Sequence, residues 1–255
     1  MKSNRDTLFV YCTHGDELIG ERAIRLLNKK PNLPPYDTIL GNPKARAEKV
    51  RHIDSDLNRS APGKKYSRKY EIRRAFKLVS FFENYRYVID LHQTLANDRI
   101  VVIIPKLTKH SLALALAFNV RDILIWLPST GSKSFPLVQY KNYGVEIEAG
   151  VKTNPARTLR RLVWVLSAFL LDGISHLTRS HGSVGRKTSR KRFYLVYGRI
   201  DPKEVVGIKL KDFGKVNTGK EKFVALLFGR HQNLIGYKMK EVEKNWVFSR
   251  VKSSG

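Results

Sequence analysis

The sequence predicts an α/β protein with a mostly parallel or mixed sheet flanked by helices, and a small β-rich domain at its C-terminal end. Over residues 1–177, short apolar runs alternate with longer amphipathic segments, the pattern of strands joined by helices. Beyond residue 192 the helical periodicity stops, and short apolar runs are separated by Gly and Asp turns. The chain has 255 residues, 42% of them hydrophobic, which suffices for one sizeable core and a small appended domain.

Short segments of four or five residues, rich in apolar or alternating side chains, predict the strands of the first domain. They are Thr7–Tyr11, Asp37–Leu40, Tyr87–Leu91, Ile100–Ile104, Asp122–Trp126 and Gly144–Glu148. Apolar residues at helical spacing predict the helices, and residues 42–66 are polar and predict a loop. The helices are Glu17–Lys29, Ser67–Tyr85, Ser111–Phe118 and a long helix that starts with the capping pair Asn154 and Pro155 and runs to about Ile174.

The C-terminal third of the chain differs in composition. Residues 178–192 are polar, basic and glycine-containing, and predict a linker. Residues 193–255 predict the β-rich domain, with short strands at Phe193–Tyr197, Val205–Leu210, around Val216 and at Phe223–Phe228.

The charge and the cysteine content limit the possible partners and metals. The net charge of +26 attracts anions, whether small molecules, nucleic acid or membrane surfaces. The single cysteine, Cys12, excludes an internal disulfide and a cysteine-based zinc site. Neither a signal-peptide core nor an apolar run of about 20 residues is present, so we expect a cytoplasmic protein that does not span a membrane. A homo-oligomer is compatible with these data.

Two short motifs at predicted strand ends carry zinc-ligand side chains. His14 and Glu17 follow the first strand, and Gly15 lets the backbone turn tightly between them. Asp90 and His92 end the strand near residue 91 and point to the same side of it. His14, Glu17 and His92 would form a two-histidine, one-glutamate set with a fourth position for water, as in catalytic zinc sites. Asp90 would accept a hydrogen bond from a ligating histidine.

Two further segments carry charges suited to substrate. Residues 51–59 hold Arg51, Asn58 and Arg59, and guanidinium groups bind carboxylates through paired hydrogen bonds. Glu146 and Glu148 share one side of the strand predicted at Gly144–Glu148, where a carboxylate could take a proton from a zinc-bound water. The spacing does not choose between these two glutamates.

These four segments, in this order, resemble the aspartoacylase and succinylglutamate desuccinylase family, which has the zinc carboxypeptidase-like fold. Its motif H-G-x-E matches residues 14–17, its D-L-N-R matches 56–59 with an arginine before it at Arg51, its D-L-H matches 90–92, and its E-x-G matches 148–150. The resemblance covers about residues 7–150 and is also compatible with the β-rich end.

The resemblance implies a role for each matched residue. His14, Glu17 and His92 would bind one Zn²⁺ per chain. Glu148 would activate the zinc-bound water and deliver the proton to the leaving amine, and Arg51 would stabilise the oxyanion. Asn58, Arg59 and Arg51 would hold the carboxylate of a small anionic N-acyl amino acid, whose amide bond would be hydrolysed.

One family position differs here. Aspartoacylases carry a further substrate-binding arginine near the position of Val138, which cannot bind a carboxylate. Lys133 and Lys141 are candidates to replace it, and Tyr237 is the nearest candidate for a substrate-contacting tyrosine of the family's C-terminal domain.

Two other functions remain open from the sequence. A metallocarboxypeptidase acting on a peptide or peptidoglycan fragment would use the same metal, base and arginines. A basic nucleic-acid-binding protein would account for the charge, but the chain has an intact ligand set and no recognisable nucleic-acid motif. We therefore expect only weak electrostatic binding of nucleic acid.

Overall fold

The computed structural model describes residues 5–127, 136–179, 190–227 and 235–252, and in them one ten-stranded mixed sheet flanked by helices confirms the predicted fold class. The strands are β1 Thr7–Tyr11, β2 Asp37–Leu40, β3 Tyr87–Thr94, β4 Ile100–Ile104, β5 Asp122–Ile125, β6 Gly144–Gly150, β7 Arg192–Arg199, β8 Lys215–Asn217, β9 Lys222–Leu226 and β10 Tyr237–Val242. The helices are α1 Ile19–Leu27, α2 Pro43–Glu48, α3 Tyr70–Phe82, α4 Lys109–Ala117, α5 Pro155–Ala168, α6 Ile174–Arg179 and α7 Lys244–Lys252.

The strand order brings three strand ends together. The sheet runs β2-β1-β3-β6-β4-β5-β7-β10-β9-β8, and β1, β3 and β6 are parallel neighbours. Their carboxyl ends therefore lie at one edge of the sheet, where α/β proteins commonly build their sites. Strand β4 runs antiparallel to β6, which makes the sheet mixed.

Apolar side chains cover both faces of this sheet. On one face a large core contains Phe9, Ile89 and Ile147 from the strands, together with α1, α4 and α5. On the other face α3 packs Ala75 and Leu78 against the central strands. Side chains alternate along β3 and β6, so every second residue points to this second face. Near the carboxyl ends of the two strands, the side chains on this face are polar.

The C-terminal strands continue the same sheet. Strand β7 pairs parallel with β5, and β10, β9 and β8 follow it as antiparallel neighbours. A small separate apolar cluster lies among them, around Ile200, Val216 and Phe223. The division into domains 1–177 and 193–255 stays a prediction, and most of the predicted linker, residues 180–189, lies outside the described residues.

Several predicted elements need correction. The predicted loop 42–66 contains helix α2 and a 3₁₀ turn at Leu57–Arg59, because Asn42 caps Pro43–Glu48 by accepting a hydrogen bond from the Ala45 amide. The predicted strand 205–210 is wrong: a 3₁₀ turn ends at Val205, and Gly207 has a φ of +75°. Strand β10 and helix α7 were not predicted. No helix in the described ranges combines the length and apolarity needed to cross a membrane.

Candidate active site

The backbone around β1, β3 and β6 places the predicted site residues at one edge of the sheet. His14 follows β1 after Cys12, whose φ of +51° turns the chain out of the strand. His92 lies within β3, which extends three residues beyond its predicted end. Its Cα pairs with that of Glu148 in β6, so the two side chains are neighbours on one face.

Gly15 allows the turn that carries His14 and Glu17 to lie directly against α2. A Cβ atom at position 15 would lie 2.1 Å from the carbonyl carbon of Ala45. The Gly15 amide also donates to the carbonyl of Arg51, at 3.2 Å. The glycine is therefore required for a close backbone approach that joins two of the predicted site segments.

Replacing Gly15 with alanine is expected to destabilise the fold by about 1–3 kcal/mol, because the added methyl group overlaps backbone atoms that cannot rotate away. The urea midpoint of unfolding should fall. Gly198→Ala is the matched control, since a Cβ there meets only a lysine methylene at 3.9 Å. Equal midpoints for the two variants would contradict the close approach.

The three predicted metal ligands meet at the end of β1 and β3. His14 Nδ1 lies 2.7 Å from one oxygen of Glu17, and His92 Nδ1 lies 3.0 Å from the other. The backbone N–H of Gln93 donates to this second oxygen of Glu17, also at 3.0 Å. One ligand atom from each of the three side chains lies within 4.8 Å of the others, and all three residues are buried.

The electrostatics of these residues are governed by their mutual contacts. Burial lowers the pKa of His14, but the carboxylates of Glu17 and Asp56 outweigh it and raise that pKa to about 9. Burial likewise opposes protonation of His92, yet Asp90 and Glu17 raise its pKa well above the usual value. Burial alone would raise the pKa of Glu17, but the two histidines hold it well below its usual range.

This donor set fits a divalent cation such as Zn²⁺. Two imidazoles and one carboxylate are the ligand types of catalytic zinc sites. Without a cation, both imidazoles hold protons because the surrounding carboxylates raise their pKa values. A cation that binds the same nitrogen atoms would displace these protons. In addition, His92 Nε2 is buried and makes no well-angled hydrogen bond within the described residues, although it is 3.1 Å from Asp90 Oδ2.

Asp90 lies beside His92 and is fully buried. The Thr13 hydroxyl donates its single hydrogen to this carboxylate, with Oγ1 at 2.8 and 2.9 Å from the two carboxylate oxygens. Asp90, His92 and Glu146 form a second possible ligand group. We favour the first group, because Asp90 is engaged by Thr13, and Glu146 accepts a hydrogen bond from Asn58 at 2.7 Å.

Arg51 is held beside the ligands by two carboxylates. Its Nη1 lies 3.1 Å from Glu17 Oε1, and its Nη2 lies 3.3 Å from Asp56 Oδ2. Asp56 also lies 3.0 Å from His14 Nε2, although the sequence pattern assigned it no role. Its proximity to His14 and Arg51 outweighs burial and lowers its pKa. The position of Asp56 at the start of D-L-N-R was the only signal that could have pointed to it.

Asn58 and Arg59 follow on the same 3₁₀ turn. Besides its bond to Glu146, Asn58 accepts a hydrogen bond from the Leu137 amide at 3.1 Å. Arg59 is exposed at the cleft, and its Nη1 donates to the Asn58 carbonyl at 2.8 Å. Asn58 therefore connects the basic segment to β6.

All of the predicted site residues except the buried Asp90 line one cleft of about 370 Å³. Its charged side holds the ligands, the arginines and both glutamates. Gln93, Leu95, Ile103 and Trp126, which sequence patterns did not identify, also line the cleft. Tyr237, the candidate tyrosine from the family resemblance, lines it as well, with its ring centroid 4.5 Å from that of Trp126.

Of the two lysines that could replace the missing arginine, Lys141 is described by the structure and does not line this cleft. Val138 is buried in the core, and Lys141 forms an ion pair of 3.5 Å with Glu83. Lys133 lies outside the described residues.

The other histidines show no site contacts where they are described. His52 is exposed, and the ring of His110 packs 4.5 Å from that of Tyr143. His181 and His231, together with the side chain of His176, lie outside the description.

The family model and a curated relative point to the same family. Residues 4–162 match the family model described as the succinylglutamate desuccinylase/aspartoacylase catalytic domain. A probable aspartoacylase from Nostoc sp. is 26% identical, and the match covers 84% of this chain and 82% of that protein.

Two solved structures share the fold. Murine aminoacylase 3 superposes with a TM-score of 0.70 at 18% identity, covering 92% of this chain and 95% of that one. The succinylglutamate desuccinylase from Chromobacterium violaceum has a TM-score of 0.65 at 14% identity, covering 95% and 86%.

Proposed function

Because the chain belongs to the succinylglutamate desuccinylase/aspartoacylase family, we propose that it is a zinc-dependent hydrolase that releases the acyl group of a small N-acyl amino acid. One observation carries the proposal: the donors of His14, Glu17 and His92 converge in the cleft that also contains Arg51 and Glu148. This combination supplies a metal site, a cationic group and a base within one small space.

His14, Glu17 and His92 are the residues that would hold the metal. Bound Zn²⁺ would polarise the scissile carbonyl and lower the pKa of a water molecule, which is the general contribution of catalytic zinc. Thr13 holds Asp90, which lies 3.1 Å from His92 Nε2, and the backbone amide of Gln93 fixes one oxygen of Glu17. Such supporting contacts hold ligands in place and are needed for tight metal binding.

Glu148 is the general base of the proposed reaction. It is the strand neighbour of His92, and its carboxylate, unlike that of Glu146, makes no hydrogen bond to Asn58. Burial, with the negative charge of Glu17 added, raises the pKa of Glu148 to about 8 in the metal-free chain. A cation bound to Glu17 would offset that negative charge. Glu148 then takes a proton from the attacking water and delivers it to the leaving amine.

Arg51 and the 3₁₀ turn recognise the anionic groups. The guanidinium of Arg51 lies beside Glu17 and Asp56, where it can donate to the oxyanion that forms at the attacked carbonyl. Arg59 binds the substrate carboxylate at the mouth of the cleft, helped by the second amide hydrogen of Asn58. The net charge of +26 favours the approach of such an anion.

The size of the cleft supports a small substrate. Its volume of about 370 Å³ falls at the lower end of the range for small-molecule sites. A peptide or peptidoglycan fragment needs a more extended groove.

A hydrolysis screen with the zinc-loaded protein tests this proposal. We expect release of the free amino acid from one or more N-acyl amino acids, and little release from short unacylated peptides. Arg59→Ala should raise KM for the preferred substrate by about tenfold or more, as loss of a charge-assisted hydrogen bond predicts. Turnover of peptides alone would favour the metallocarboxypeptidase, and no turnover of either class would refute the hydrolase.

A further inference from the structure

We propose that Glu71, in the first turn of α3, is a positioning residue that holds the segment of Arg51, Asn58 and Arg59 in its working conformation. The inference rests on the proposed function, because it concerns the residues that would bind the substrate. Glu71 does not touch the cleft and lies in none of the family motifs.

The carboxylate of Glu71 accepts four hydrogen bonds from the surrounding chain. Its Oε1 accepts from the Ile53 amide at 2.7 Å and from Asn42 Nδ2 at 3.2 Å. Its Oε2 accepts from the amides of Asp54 and Ser55, at 2.9 and 3.1 Å. Three consecutive backbone N–H groups thus converge on one side chain, an arrangement that suits a fixed anion.

The contact between the loop and the helix is reciprocal. Asp54 Oδ2 accepts a hydrogen bond of 2.6 Å from the amide of Tyr70, at the start of α3. The loop therefore supplies an acceptor for a free amide of the helix N-terminus, while the helix supplies an acceptor for the loop through Glu71.

Glu71 is a buried charge without a cationic partner among the described residues. Its exposed fraction is 0%, and no described Lys, Arg or His lies within ion-pair distance. Burial would raise the pKa of Glu71, but the hydrogen bonds from Ile53, Asp54 and Asn42 outweigh it and lower the pKa. A buried carboxylate that is ionised and satisfied only by N–H groups is costly to disturb.

The four hydrogen bonds of Glu71 reach two segments next to the candidate site. The loop amides at 53–55 lie between Arg51 and Asp56, which contact each other and the metal ligands Glu17 and His14. On the other side, Asn42 caps α2, the helix against which the turn at Gly15 is packed.

Glu71→Gln is the test substitution. The glutamine amide nitrogen is a donor, so it would face the donating N–H groups of the loop and break at least one of the bonds. We expect kcat/KM for the preferred substrate to fall by about 100-fold, since a displacement of about 1 Å can cost that much. Zinc content should stay unchanged, because no zinc ligand is altered.

Amide hydrogen exchange provides a readout that does not depend on activity. Exchange at Ile53, Asp54 and Ser55 should become about tenfold faster or more in Glu71→Gln, the effect of losing hydrogen bonds to a charged acceptor. Exchange in the central strand β3 should not change, which separates a local release from global destabilisation.

Two matched variants serve as controls. Asp54→Asn also removes a charge from this contact, but it keeps an acceptor oxygen for the Tyr70 amide, so kcat/KM should remain within about threefold of the wild type. Glu83→Gln, just after α3, alters an exposed residue that pairs with Lys141 and should have no effect. If Glu71→Gln fails to fold, Glu71→Asp serves instead, because it keeps the charge on a shorter side chain. It should show a smaller fall in kcat/KM and a smaller rise in the exchange rates at 53–55.

The possible outcomes separate the two proposals. Wild-type exchange rates at 53–55 in Glu71→Gln, or faster exchange with wild-type kcat/KM, would overturn the positioning role. A wild-type protein that hydrolyses no N-acyl amino acid would refute the proposed function, whereas the exchange data would still decide whether Glu71 holds the loop.

Discussion

Replacing Glu148 with glutamine is expected to lower kcat for N-acyl amino acid hydrolysis by about 100- to 10,000-fold, while the protein still binds about one zinc per chain. Glutamine has nearly the same shape as glutamate, but it cannot take a proton from water. Glu148 is next to His92 across β3 and β6 and lines the cleft, so the substitution removes the proposed base and leaves the three proposed metal ligands in place.

Glu146→Gln is the comparison that decides between the two glutamates. Glu146 shares the strand face with Glu148, but its carboxylate accepts a hydrogen bond from Asn58 and lies 3.8 Å from His92 Nε2. Its loss should mainly affect KM, through the position of Asn58. A large fall of kcat in Glu146→Gln together with a normal kcat in Glu148→Gln would show that the base is Glu146.

The pH profile gives an independent check on Glu148. A general base acts when deprotonated, so kcat/KM should rise with pH as the carboxyl group ionises. The pKa of Glu148 is raised to about 8 by burial and by Glu17. A cation bound beside Glu17 would lower it from that value. We expect an acidic limb with its midpoint below about 8 in the zinc enzyme, and its absence in Glu148→Gln.

Replacing His92 with alanine is expected to remove both the zinc and the activity. His92 is buried and is one of only three protein donors in the favoured group, and each of them is needed for a site that leaves one position open. Elemental analysis after dialysis should fall from about one zinc per chain to below about 0.1.

Thermal unfolding adds a second measurement for the same variant. Zinc stabilises a folded protein that binds it, so added zinc should raise the Tm of the metal-free wild type and leave that of His92→Ala unchanged. His52→Ala is the matched control, because His52 is exposed and does not line the cleft. Full zinc content in His92→Ala, or zinc loss in His52→Ala, would refute the assigned ligand set.

Most of the fold could be predicted from local patterns. The bounds of β1 and β4 agree with the apolar runs at Thr7–Tyr11 and Ile100–Ile104, since buried strands are continuously apolar. The half-buried strand β2 also has its predicted bounds, Asp37–Leu40. Strand β10 carries the pattern YKMKEV, which lacks such a run, and was missed. Residues 205–210 have apolar positions but do not pair with a neighbouring strand, and pairing is not a local property.

In the candidate site, the motif residues could be predicted from the sequence, whereas the residues that hold them in place could not. The order of the motifs was sufficient to select His14, Glu17, His92, Arg51 and Glu148, and the structure brings all five into one cleft. The partners that hold them come from distant parts of the chain: Thr13 bonds to Asp90, 77 residues away, and Asn58 to Glu146, 88 residues away.

The sequence by itself therefore determined the α/β class, the family and the residue types of the site, because strand periodicity and family motifs are written in neighbouring residues. Only the tertiary structure decided which side chains support the site. The joining of the C-terminal strands to the main sheet, the ring contact of Trp126 with Tyr237 in the cleft, and the contact of Glu71 with the loop at 53–55 all depend on strand order and long-range packing. No local pattern encodes them, since hydrogen bonds and burial between distant segments arise only when the chain is folded.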